Sequence, residues 1–230
     1  MNGAELKQVL KSGGRVFGTM ISVSRNPKWI PFMEGIGLDY VVIDTEHNYR
    51  SRGELGDFLT MFNTTGVVPI VRIPIPESHY VTMALDAGAQ GVLAPYCETV
   101  DQVKEVVGAA KWRPLKGEAV RRVVDSGDHS SEASREYLEN RNKNNIAIIG
   151  IESQAGVDKL EEMLQVPGID GIFVGPNDMS IQLGVPDMYD EEIYKTTVKK
   201  VIDVSEAHGI PALVHHQSPE LSKYWIEQGA

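Results

Sequence analysis

Residues Val67–Cys97 read VVPIVRIPIPESHYVTMALDAGAQGVLAPYC and hold one complete strand–helix–strand unit. Val67–Ile73 is a short β-branched run, apolar on both parities, as a strand covered on both faces of its sheet must be. In Glu77–Gly88 the apolar Val81, Ala84 and Leu85 share one helical face, and Gly88 supplies the stop. Gly91–Cys97 is a second buried run. Strand, covering helix and strand in so short a space predict a parallel pair.

The unit recurs. Further strand-like runs are Arg15–Val23, Tyr40–Glu46, Ile146–Ser153, Gly171–Pro176 and Pro211–His216. Helical stripes fill Val100–Lys111 (Val103, Val106, Val107, Ala110), Gly156–Leu164 (Val157, Leu160, Leu164) and Glu191–His208 (Ile193, Val198, Val201, Ile202, Val204). Gly66, Gly88, Gly168 and Gly209 each read as a helix stop placed before a strand. Repeated βα units predict an α/β fold in one domain, residues 1–230. The closing Gln228-Gly229-Ala230 reads as the stop of a seventh helix, after which the pattern demands an eighth strand. Two architectures answer this: an open doubly wound sheet, or a (β/α)8 TIM barrel whose eighth βα unit is absent from the chain. The barrel is preferred, because no glycine-rich phosphate turn follows the first strand and Gly13-Gly14 precede it. The polar segment Gly117–Asn144, with a loop at Ser126–Ser131 and a short helix at Glu132–Asn140, is inserted between the fourth and fifth units. Such an insertion is expected to border the site.

Composition narrows the function. The chain has 230 residues, 42% of them hydrophobic and 23% charged, ordinary for a globular protein. A net charge of −10 argues against a nucleic-acid partner. No apolar run is long enough to span a membrane, and the first residues lack the apolar core of a signal peptide. Cys97 is the one cysteine, so no disulfide forms within the chain, and it reads best as a small buried hydrophobe. A cytoplasmic protein is expected.

In a barrel the reactive groups collect at the carboxyl ends of the strands. Asp44, Glu46, His47, Arg72, Glu152, Asn177, Asp178, His215, His216 and Gln217 all fall there. Each alone is an ordinary solvated loop residue; four carboxylates and one arginine in a buried mouth are costly without a ligand or metal. Glu152 and Asp178 lie one βα unit apart and are expected at neighbouring strand tips, about 4.8 Å from each other. Two carboxylates that close repel unless a positive charge stands between them. A hard divalent cation with oxygen ligands, Mg2+ or Mn2+, meets that need; a salt bridge from one of them to Arg72 is the structural alternative. Arg72, inside an apolar strand, suits a carboxylate or a developing enolate oxygen. His47 beside Asp44 and Glu46 is a natural general base, although a lone loop histidine in isolation is more often simply solvent-exposed. Of His215 and His216, adjacent in a strand, only one can reach the mouth. None of the lysines falls in a strand, so Schiff-base chemistry is unavailable and carbonyl chemistry here requires a metal.

In this order IDTEH (Ile43–His47), VR (Val71-Arg72), LDAGAQG (Leu85–Gly91), IE (Ile151-Glu152) and VGPNDMS (Val174–Ser180) resemble the HpcH/HpaI aldolase family. The resemblance implies a metal-dependent class II aldolase that reversibly cleaves 4-hydroxy-2-oxo acids to pyruvate and an aldehyde. It implies His47 as general base, Glu152 and Asp178 as metal ligands, Arg72 as the enolate stabiliser, and Asn177, with Asp178, at the substrate carboxylate. Asp86 matches the aspartate that raises the basicity of the histidine. Its place at the far end of a helix is the wrong rim of its own barrel, so it would act on a neighbouring subunit. The metal implied is Mg2+ or Mn2+, with Co2+ possible; the partners are a 2-oxo acid and an aldehyde; the assembly is a homo-oligomer, a hexamer as a trimer of dimers. Gly150, where some members carry Gln, and Gly117–Arg122 depart from the family pattern, so substrate preference does not carry over. An acyl-CoA lyase of the malyl-CoA type, with Arg121 and Arg122 as its rim cations, and a non-catalytic barrel that keeps the site are the competing readings.

Overall fold

The computed structural model describes residues 1–230. Seven parallel strands, β1 (Gly18–Ile21), β2 (Tyr40–Asp44), β3 (Val68–Arg72), β4 (Gly91–Ala94), β5 (Ile146–Ile151), β6 (Gly171–Val174) and β7 (Ala212–Val214), pair in chain order in one sheet. Alternate strand residues point to opposite faces. Val42, Ile70, Leu93, Ile148 and Phe173 meet in an inner cluster. Their neighbours Val41, Val71, Val92, Ile149 and Ile172 join the larger cluster that includes the helix residues Leu59, Val81, Val106 and Val201. The sheet therefore curls around its own apolar filling, with helices outside. Between β1 and β7, which do not pair, a cavity of about 400 Å3 is lined by residues including Met20, Phe173, Leu213, His215 and Trp225.

The helices are α1 (Gly3–Lys11), α2 (Arg52–Phe62), α3 (Ser78–Asp86), α4 (Val100–Lys111), α5 (Gly117–Ser126), α6 (Glu132–Asn142), α7 (Gln154–Asp158), α8 (Leu160–Met163), α9 (Pro176–Gln182), α10 (Glu192–Ala207) and α11 (Pro219–Glu227). Asn2 and Glu5 form a capping box on α1. Leu6 and Leu10, one turn apart, pack on the inner cluster at the amino-terminal end of the strands. No helix is long and apolar enough to cross a membrane.

Several expectations need correction. Every strand is shorter than its apolar run, because the run continues into the turn that carries the rim residues. Gly117–Ser126 is a helix where only a polar segment was expected. Its Val120 and Val124 seat on Gly108 of α4, where an added Cβ would lie 3.1–3.2 Å from them. The insertion thus packs against the outer flank of α4. Gly156–Leu164 is two short helices rather than one. Gly88, Gly168 and Gly209 adopt positive φ, whereas Gly66 does not.

Candidate active site

The loop after β2 is organised by Asp44, which is 1% exposed. Its Oδ1 accepts the Glu46 N–H at 3.1 Å, an Asx turn that folds the chain back over the strand end. The same oxygen accepts Arg72 Nε at 2.8 Å, and Asn48 Nδ2 donates to Oδ2. Asp44 and Arg72 are register partners across β2 and β3, so the pair is set by the ladder itself. Thr45 tightens this corner by donating Oγ1–H to the Arg72 carbonyl at 2.6 Å. Burial pushes the Asp44 carboxyl up, but Arg72, Asn48 and the Glu46 N–H outweigh it and hold it below the usual carboxylate value.

The turn brings Glu46 Oε2 to 3.1 Å from Arg72 Nη1. Arg72 is therefore engaged by Asp44 and Glu46, and the salt bridge considered between it and Glu152 or Asp178 does not form. Burial raises the Glu46 carboxyl, with Asp44 and Asp178 adding to the rise and Arg72 and His47 opposing it. His47 Nε2 lies 3.5 Å from Glu46 Oε2, its side chain 61% exposed.

Glu152 follows β5 directly and is 2% exposed. Its Oε1 has no hydrogen-bond partner. Burial first, then Glu46 and Asp178, push its carboxyl up to about 7. Asp178 is not at a strand tip as expected. β6 stops at Val174, Gly175 caps α9, and Pro176 opens it, which sets Asp178 in the first helical turn. It nevertheless bears on both Glu46 and Glu152. Glu46 is thus a member of the acid cluster that spacing alone left unassigned; its signal is its place one turn residue beyond a buried Asp.

Room for Glu152 comes from glycine. A Cβ on Gly175 would lie 2.5–2.6 Å from the Glu152 carboxylate and its Cγ. We expect Gly175→Ala to displace that carboxylate, costing about 1–3 kcal/mol of stability and most of the activity. Gly56→Ala, in open space on α2, should instead stabilise by about 0.4–1 kcal/mol. Denaturant titration of both variants, with activity assays, checks this contrast.

The remaining expected residues divide. Asn177, in the first turn of α9, donates Nδ2–H to Asp187 Oδ1 at 3.3 Å. Asp86 ends α3 on the opposite rim, 2.7 Å from Arg113 Nη1, and is not brought to His47 within the chain. His215 packs on Phe173, and burial, with the Arg72 guanidinium adding, holds its imidazole below the ordinary histidine value. His216 faces Tyr194 and Tyr189 instead. Cys97 is fully buried. No group of three or more His, Cys, Asp or Glu is arranged to hold a metal ion; the expected set, Glu152 and Asp178, is a pair.

Fold and rim together define a parallel α/β protein with an acid-rich site at the carboxyl ends of its strands. Residues 19–223 match the HpcH/HpaI aldolase/citrate lyase family, and the chain belongs to it. The chain is 28% identical over 210 residues to the hydroxypyruvate/pyruvate aldolase of Roseobacter denitrificans, covering 89% of this chain and 80% of that protein. It is 29% identical over 202 residues to the 2-keto-3-deoxy-L-rhamnonate aldolase of Shigella dysenteriae, covering 84% and 72%. The crystal structure of an HpcH/HpaI aldolase from Desulfitobacterium hafniense matches with a TM-score of 0.83 at 26% identity, covering 98% of this chain and 87% of that one.

Proposed function

We propose that the chain is a divalent-metal-dependent class II aldolase, a carbon–carbon lyase that reversibly cleaves 4-hydroxy-2-oxo acids to pyruvate and an aldehyde. The observation that carries the reading is Glu152: a buried carboxylate with an unpartnered oxygen, facing two further acids, beside a guanidinium already engaged elsewhere. An uncompensated buried charge of this kind is costly, and a hard cation with oxygen ligands answers it. Glu152 and Asp178 are the residues to hold Mg2+ or Mn2+, with Co2+ in the same class. When bound, the ion supplies Lewis-acid polarisation of a 2-oxo group and a counter-charge for the acids.

The chain's own groups do the rest. Arg72 is held rigid by Asp44 and Glu46, and its uncommitted N–H donors stabilise the negative charge that develops on the pyruvate enolate oxygen. His47, exposed at the mouth, takes the proton from the 4-hydroxyl as the bond between C3 and C4 breaks; the electron pair passes to the enolate and the aldehyde leaves. The first turn of α9, at Asn177 and Asp178, receives the substrate carboxylate. Asp86 reaches a histidine only in another subunit, and we read the protein as a cytoplasmic homo-oligomer, a hexamer built from dimers. The seven-stranded sheet is read as a (β/α)8 barrel short of one unit between β7 and β1. Arg121 and Arg122, the cations an acyl-CoA lyase would need, stand exposed on α5, with Arg122 facing Asp128.

Exhaustive chelation is expected to lower pyruvate release from 4-hydroxy-2-oxo acids by about 100-fold or more, and Mn2+ to restore it. A full rate after chelation rejects the metal role. Solvent deuterium entering the pyruvate methyl group separates a working site from a non-catalytic barrel.

A further inference from the structure

Tyr96 is the residue after β4 that the acid-cluster chemistry does not use, and its surroundings are unusual. Its φ is +52, a left-handed conformation that a tyrosine adopts at a cost. The turn that carries it packs closely against two glycines. A Cβ on Gly150 would lie 2.9 Å from the Ala94 carbonyl oxygen and 3.0 Å from Pro95 Cα, and one on Gly156 would lie 2.9 Å from the Cys97 carbonyl oxygen. Cys97 N–H donates to the Gly150 carbonyl at 2.9 Å, and the Cys97 side chain is fully buried. The turn is therefore closely packed on both sides of Tyr96, and a hydrogen bond at its far end holds the phenol.

It is aimed across β5 to α9. The Tyr96 hydroxyl oxygen accepts a hydrogen bond from Gln182 Nε2, one helical turn beyond Asp178. Glu98 first, then Asp178 and Glu152, act electrostatically on the phenol, and the bond to Gln182 holds it beside the first turns of α9. Beyond that bond the hydroxyl has no partner in the protein, so its O–H is free to donate to a bound molecule.

We propose that Tyr96, oriented by Gln182, is the specificity-determining residue for the aldehyde half of the substrate, donating its O–H to an oxygen next to the reacting carbonyl and so favouring hydroxyaldehydes over alkyl aldehydes of equal length. The inference rests on the aldolase reading. In that reading the cation that Glu152 and Asp178 would hold, Arg72 and the start of α9 would engage the oxygens of the 2-oxo acid, so the aldehyde half carries the oxygen left for a phenol. A strained, clamped residue at a cleft is the kind of feature that positions substrate.

The test compares glycolaldehyde with propanal, which exchange a hydroxyl for a methyl, in condensation with pyruvate under Mn2+. One neutral hydrogen bond predicts that Tyr96→Phe lowers the ratio of kcat/KM for glycolaldehyde to that for propanal by about tenfold, chiefly through KM for glycolaldehyde. A ratio within about twofold of the wild type overturns the proposal, whether or not both rates fall together. Should Tyr96→Phe not fold, Gln182→Leu carries the test, with a drop in the same ratio expected and an unchanged ratio overturning it. The wild-type chain is also assayed for deuterium entry into pyruvate alone. Failure there removes the aldolase reading itself, while exchange with an unmoved ratio removes only the role of Tyr96.

Discussion

Glu152→Gln is expected to abolish turnover while making the metal-free protein more stable at pH 8 than the wild type. In the folded chain burial, with Glu46 and Asp178 adding, lifts the Glu152 carboxyl to about 7, against 4.5 for an ordinary glutamate. Between those values the folded state keeps a proton that the unfolded chain has released. The stability tied to this group is full below about pH 4.5 and is lost as pH rises through about 7. A shift of this size corresponds to about 3 kcal/mol, which a neutral amide at the same position does not lose. Divalent cation reverses the order, since it binds the ionised wild type and has little to hold in the variant. Denaturant unfolding at pH 5 and pH 8, in EDTA and in Mn2+, measures all four cases. A variant less stable than the wild type in EDTA at pH 8 contradicts the account.

Arg72→Ala should produce the opposite result. Asp44 is 1% exposed and relies on the guanidinium at 2.8 Å. Removing one partner of a buried pair leaves an uncompensated charge, and we expect a loss of about 3–5 kcal/mol. Turnover should fall by about 100- to 1,000-fold, since the donors facing the enolate go with the side chain. The pH dependence should invert as well. In the wild type Asp44 is held below its ordinary value, so its contribution is present above the unfolded carboxylate pKa and is lost on acidification. Without Arg72 burial is opposed only by Asn48 and the Glu46 N–H, so the carboxyl rises and mild acid should stabilise the variant. Arg72→Lys, which keeps the charge and loses the planar fork, should recover part of the stability and less of the rate. Thermal unfolding from pH 4 to pH 8, with steady-state assays, distinguishes these outcomes.

The seven strands were legible because β-branched runs buried on two sides leave a strong pattern. Their ends were not, because Pro95, Glu152 and Gly175 continue the run while leaving the ladder to shape the rim. α5 was missed since a short polar helix carries only Val120, Val123 and Val124 as its stripe, and it is Gly108 on another helix that gives it a seat. Tyr96 gave no signal at all: the room its turn occupies is left by Gly150 and Gly156, which follow it by more than fifty residues.

Read alone, the chain determined its alternation of strands and helices, its acid-rich rim and its likeness to a family of aldolases, since periodicity and residue chemistry act over a few neighbouring positions. Only the tertiary structure decided that Arg72 is spent on Asp44 and Glu46, that Glu152 is buried with an oxygen unmet, and that a strained tyrosine overlooks it. Those facts depend on which side chains from distant segments share one low-dielectric space, and charge pairing and desolvation there are set by distances between strands rather than by positions along the chain.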